Sequence, residues 1–339
     1  MHFEFGPTHV KPSASQTFLP TQLIEAHDFC LLNHDVLVEL LRSGEKHGAF
    51  LENIEFRDER DRQEYEASTD LFDWFERTAR LEDRNRFLRR LIFPALLSDF
   101  LHFIYEALET SRKAKLIVSY ALIRKPIQEN LFVLEVIATG LDAFANSLAE
   151  TPASLDPRRG RSLDSHVQRI GAALHVLGEE DRFDATYLAQ LRYDKTVEDT
   201  FDGICNKAVH LFTSSSAIRT EPLNVNFIFS GREAKLTQWY YLYSRLPYIL
   251  FYARRLVEHV CATLVQTVPN YLADIERRVA ASALLWARNI DEAYRHPAID
   301  RFVAETRARL VAECKSAGHR EPTLHDLVQM RDSGTLPDD

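Results

Sequence analysis

Glycine and proline are scarce in this chain, with 11 and 13 among 339 residues. A fold of many short strands needs far more turn residues than that, so the shortage points to long helices. The four cysteines, Cys30, Cys205, Cys261 and Cys314, stand far apart with no CxxC pair. That spacing excludes a zinc ribbon or a disulfide framework and suits reduced, mostly buried thiols in a cytoplasmic protein. The opening "MHFEFGPTHVKPSASQTF" lacks the basic start and apolar run of a secretory signal. Uncharged apolar runs such as "LIFPALL" and "YILFYA" are too short to cross a bilayer, so no membrane association is expected. P-loop, GxGxxG, GxSxG and HExxH motifs are all missing, which removes the familiar nucleotide-binding and hydrolase classes.

What is present is a composition of 45% hydrophobic and 27% charged residues, enough for a sizeable core. The net charge of −9 excludes a broad nucleic-acid coat but not a local basic groove. Apolar residues recur at helical spacing from Thr21, a candidate N-cap, to about Gly44 or Gly48. Leu71, Phe72, Trp74 and Phe75 mark a buried side of the next segment, and Pro94 kinks or divides the one after. The strongest helical pattern runs from 111 to about 149, with a break expected near Arg124–Lys125 before Pro126. Further helices are expected over 163–177, 184–211, 234–267, 270–295, 297–316 and 323–331. The alternating "AIRTEPLNVNFIFSG" predicts a short β-hairpin or extended insertion near 217–230. The expected architecture is all-α, a multi-helix bundle over 21–331, single but possibly bilobal, between a flexible arm (1–20) and a disordered tail (332–339).

Three groups of residues invite chemistry. His27, Cys30 and His34, with Asp35, share one face of the first helix, but the sequence supplies no fourth ligand, and no metal or other cofactor is expected. Arg124, Gln128 and Glu129 lie within two turns beside an apolar stripe, where charge is costly unless paired; Arg124 and Glu129 are candidates for a structural pair. Asn206, Lys207 and His210 can share a face near a helix end, followed by Ser214, Ser215 and Ser216. Trp239, Tyr240 and Tyr241 form a candidate contact patch for a partner.

The "ALIRKPIQENLFVL" helix, followed by "YDKTVEDTFDGICNKAVHLFTSSS", resembles the HEPN-like helical superfamily, and within it the DUF5677-like branch, over about residues 85–265. The resemblance implies a homodimer or partner-bound helical protein, and for many members a metal-independent endoribonuclease of stress or phage defence. Its active pair is an arginine followed after four to six residues by histidine. Here Gly203, Ile204 and Cys205 occupy the positions where that arginine would precede His210. The spacing occurs elsewhere, at Arg42/His47, Arg159 and Arg161/His166, Arg169/His175, Arg254/His259 and Arg320/His325, a number near that expected by chance in so arginine-rich a chain. An enzyme would use His210 to move the 2′-OH proton, with Arg124 and Asn206 as its catalytic partners. Lys207, Ser214 and Ser215 would bind RNA phosphate. The alternative is a catalytically silent sensor or interaction module that binds a partner protein or nucleotide, with these polar groups buried and mutually satisfied.

Overall fold

The computed structural model describes residues 17–337 apart from 158, 160, 161, 213–219, 221, 224, 227–230 and 266–268, and leaves the side chains of 141 and 150 undescribed. The described residues are helical, with no strand among them. Most of the expected hairpin lies outside them, and positions 220, 222, 223, 225 and 226 of that segment are not in a strand.

The first helices are α1 (Ile24–Lys46), α2 (Glu59–Ala67), α3 (Leu71–Arg77) and α4 (Leu81–Arg112). Pro94 lies inside α4 without dividing it. Thr21 opens a short 3-10 turn and not α1 itself. Gly44 stays within α1, where a Cβ would meet the Phe50 ring at 2.5 Å; the chain turns at Gly48, whose φ of 68° suits glycine. Length and composition would let α4 cross a membrane. Its hydropathy has another outlet, because Phe93, Leu97, Phe100 and Ile104 are buried in the core it shares with α1 and with the helix over 116–125. Ahead of α1, Leu19 is buried and the Phe18 N–H donates to the Arg112 carbonyl at 2.8 Å.

The long 111–149 pattern resolves into α5 (Leu116–Lys125), a π-helical turn (Pro126–Asn130), α6 (Leu131–Thr139) and α7 (Leu141–Glu150). Pro126 does not break the chain at Arg124–Lys125; it begins the wide turn, which carries the helix through. The expected helix over 184–211 is two, α9 (Ala185–Tyr193) and α10 (Phe201–Val209). Short polar side chains compete for the backbone between them. Asp194 accepts from the Thr196 N–H and hydroxyl, and Thr200 caps α10 by accepting from the Asp202 N–H. Before them, α8 (Leu163–Leu177) starts at its Ser162 cap and stops at left-handed Gly178, as its pattern predicts.

Helix α11 (Arg232–Ala262) is the central element: from Trp239 to Cys261 it is buried nearly all round, and it packs on α1, α6 and α8. Then come α12 (Pro269–Ala287), α13 (Pro297–Ser316) and α14 (Leu324–Ser333), the last opened by a Thr323/Asp326 capping box. One large core cluster runs from α1 to α13; a smaller one joins α12, α13 and α14 through Leu284, Leu285, Leu310, Leu327 and Met330. Beyond α14, the Gly334 carbonyl accepts from Arg277 at 2.9 Å, which ties the start of the tail to α12.

Burial also fixes one titration. His27 sits in the core, hydrogen-bonded to the Tyr243 hydroxyl at 2.8 Å. Desolvation lowers its pKa to about 4 from an ordinary 6.5, with Glu109 opposing and Arg112 assisting. The folded state therefore resists protonation that the unfolded chain accepts. Stability from this site is complete above pH 6.5 and is lost as pH falls from 6.5 to about 4, by up to about 3 kcal/mol. Urea unfolding across that window should show the decline, and His27→Gln should flatten it. An unchanged pH slope in the variant would rule this origin out.

Candidate functional site

The residues singled out in the sequence fall at two ends of α10. At its first turn, Asp202 is buried and receives the Gln128 amide at 2.7 Å. Gln128 also donates to the Arg192 carbonyl at 2.7 Å, while its own amide oxygen accepts from the Arg124 Nε at 3.3 Å. The Arg124 guanidinium lies 3.7 Å from Asp202, and Lys195 approaches the other Asp202 oxygen at 3.7 Å. The acid beside Arg124 is Asp202, from another helix. The wide turn brings Gln128 under Arg124, and the half-buried Glu129 follows it one position on.

At the other end His210 is exposed, just past the last residue of α10. Its N–H bonds the Asn206 carbonyl at 3.1 Å and its carbonyl accepts the Asn226 amide at 2.7 Å. The imidazole has no hydrogen-bond partner among the described residues. Asn206 and Lys207 are half-buried in the preceding turn. Positions 202 and 210 are separated along the helix by about 12 Å at 1.5 Å per residue. Of the expected catalytic residues, Asn206 lies one turn before His210, while Arg124 lies beside Asp202 at the first turn of α10. Ser214 and Ser215 lie outside the described residues. Around His210 the surface is apolar and exposed, with Val209, Leu211 and Phe212.

The aromatic patch does not form either. Trp239 and Tyr241 are buried, with the Trp239 indole donating to the Ser111 carbonyl at 3.1 Å. Tyr240 is half-buried, accepts from Gln22 at 2.7 Å and stacks on Tyr294. These residues fall where α11 enters the core. On α1, His27 faces Tyr243, His34 faces Asp35 and Tyr105, and Cys30 is enclosed. No group of three His, Cys, Asp or Glu side chains suited to a metal occurs among the described residues.

A cavity of about 590 Å³ at the C-terminal end of α11 went unnoticed in the sequence. Arg255, Glu258, His259 and Glu276 give it a polar side; Leu40, Val265 and Leu272 give it an apolar one. Arg254 bridges Glu258 and Glu276, Arg255 bridges Glu179 and Glu258, and Arg182 reaches Glu276. Burial raises the Glu276 pKa, but Arg254, Arg255 and Arg182 outweigh it and hold the carboxyl down to about 2. Desolvation, helped by Arg255, lowers that of His259, so the imidazole is neutral near pH 7. A concave, half-apolar space with perturbed ionisable groups has the character of a binding site. The only sequence signal for it is the Arg254/His259 spacing. No family model, curated protein or solved structure matches the chain.

Two substitutions separate the ends of α10. Asp202→Ala removes one of the two acceptors of the Gln128 amide and the carboxylate beside Arg124, and should cost about 1–3 kcal/mol in urea unfolding. His210→Ala, at an exposed position, should change stability by less than about 0.5 kcal/mol. Equal costs would contradict this division of roles.

Proposed function

We propose that the chain is a catalytically silent, HEPN-like helical module that recognises a partner protein. The observation that carries this reading is the capture of Arg124 by Asp202 and Gln128, a full helix length from His210. With Arg124 held by Asp202, the cation nearest His210 in the chain is Lys207, a single point charge in place of a forked guanidinium for the phosphorane-like transition state. The exposed apolar residues Val209, Leu211 and Phe212 beside His210 give the module a contact surface.

A second reading keeps the metal-independent ribonuclease and moves its centre. His259, neutral near pH 7, shares a cavity with Arg255, the more exposed of the two arginines there. Arg254 is buried and held by two glutamates, which suits a structural part.

One assay decides between the readings. Wild type, His210→Ala and His259→Ala are each incubated in EDTA with mixed cellular RNA. The silent-module reading predicts no cleavage by any of the three. Cleavage lost only in folded His259→Ala would install the second reading, and loss only in folded His210→Ala would restore the original active pair.

A further inference from the structure

Helix α12 packs against both α13 and α14, but those two make little direct contact with each other. The seam between them is a groove of about 600 Å³. Its floor is apolar: Leu284 and Ala287 from α12, Val303 and Leu310 from α13, Leu327 from α14. Its mouth carries Arg288, Arg295 and Arg307, with Asp300 among them. Three arginines and one aspartate thus line the mouth of the groove.

The three arginines are available to a ligand. Arg288 is exposed and has no ion-pair or hydrogen-bond partner among the described residues. Arg295 meets Asp300 at 3.2 Å and Arg307 meets Glu321 at 2.7 Å, and all four of these side chains are about half exposed or more. Exposed pairs of this kind contribute little and exchange readily for another carboxylate. A guanidinium offers a carboxylate two parallel donors, so a ligand acid entering here meets a matched partner in Arg288.

An apolar floor and a cationic rim describe one kind of occupant. We infer that the α12–α13–α14 groove binds a single-chain amphiphile with a carboxylate head, its tail over Leu284, Val303 and Leu327 and its head on Arg288. The volume lies within the roughly 300–1,000 Å³ of small-molecule sites. A half-open groove of this volume takes one such molecule. This site is separate from α10 and from the α11 cavity, so it stands whichever function holds.

Isothermal titration calorimetry with sodium decanoate, below its micelle concentration, tests the inference on the full chain. One-to-one binding is expected, at least tenfold tighter than for decylamine or 1-decanol. Decyl phosphate serves as a second anionic arm and is expected to bind more weakly than the carboxylate. Arg288→Glu should weaken decanoate at least tenfold. Ala304→Trp, at an exposed lining position, should fill the groove and abolish binding, with circular dichroism confirming that both variants are folded. The inference is overturned if decanoate does not bind, if decylamine or decanol binds as well, if decyl phosphate binds more tightly, or if folded Ala304→Trp still binds. Binding of an acidic amphipathic peptide in place of decanoate would also overturn it.

Discussion

The Glu135 carboxylate, with no solvent contact, ties together the middle of this molecule. One oxygen accepts from Arg192 and from the Tyr252 hydroxyl, and the other accepts the Arg169 Nε at 2.8 Å. Burial raises its pKa, but the two guanidinium groups prevail and hold it below the ordinary carboxylate range. An isolated charge at this depth would cost several kcal/mol, so α6, α8, α9 and α11 are held in one arrangement by the need to surround it. Arg192 does more than neutralise it. Its Nε donates to the Ile127 carbonyl at 2.6 Å, and the neighbouring Tyr193 hydroxyl donates to the Gln128 carbonyl at 2.8 Å. These are backbone acceptors of the π-helical turn that Pro126 begins. The wide turn persists because α9 takes up its carbonyls, and α9 is placed because Glu135 holds Arg192.

The consequence for function is geometric. The same turn directs Gln128 toward Asp202, and Gln128 with Asp202 secures Arg124 at the start of α10. Arg124 is thereby committed to the joint between α5 and α10, while His210 stays exposed past the other end of α10. A second joint, where Glu179 accepts from Arg255 and Arg309 and Glu276 from Arg254 and Arg182, fastens α11 to α12 and to the α8–α9 connection. It leaves the cavity beside His259 open.

Much of the fold was legible in the sequence. Ser162 and Gly178 bound α8, Pro297 starts α13 and Thr323 caps α14, all near the expected positions. Local chemistry suffices there. Reading failed where a tertiary partner decides. Nothing local announces that Pro126 will be absorbed into a π turn, because the groups that take its carbonyls lie about 65 positions away, as at Arg192 and Tyr193. The helix expected over 184–211 overlooked the Asp194 and Thr200 caps. Trp239 and Tyr241 read as a contact patch because α11 carries polar residues at its entry, yet from Trp239 onward that helix is buried nearly all round. The Arg124 site was readable as a charge needing a partner; the partner's identity was not. The α12–α14 groove left no mark, since Arg288 and Arg295 come from the α12–α13 connection and Arg307 from α13.

The central claim is that the buried Glu135–Arg192 contact organises the joint around the π turn. A double-mutant cycle of Glu135→Gln and Arg192→Gln, measured by urea unfolding, tests it most directly. Arg192→Gln leaves Glu135 with the Arg169 guanidinium alone, Glu135→Gln leaves both arginines without their carboxylate, and the double change loses the Glu135–Arg192 contact only once, so the account predicts strong non-additivity with a coupling of about 2–3 kcal/mol. Costs that add to within about 0.5 kcal/mol would mean the two residues stabilise the fold independently, and would contradict it.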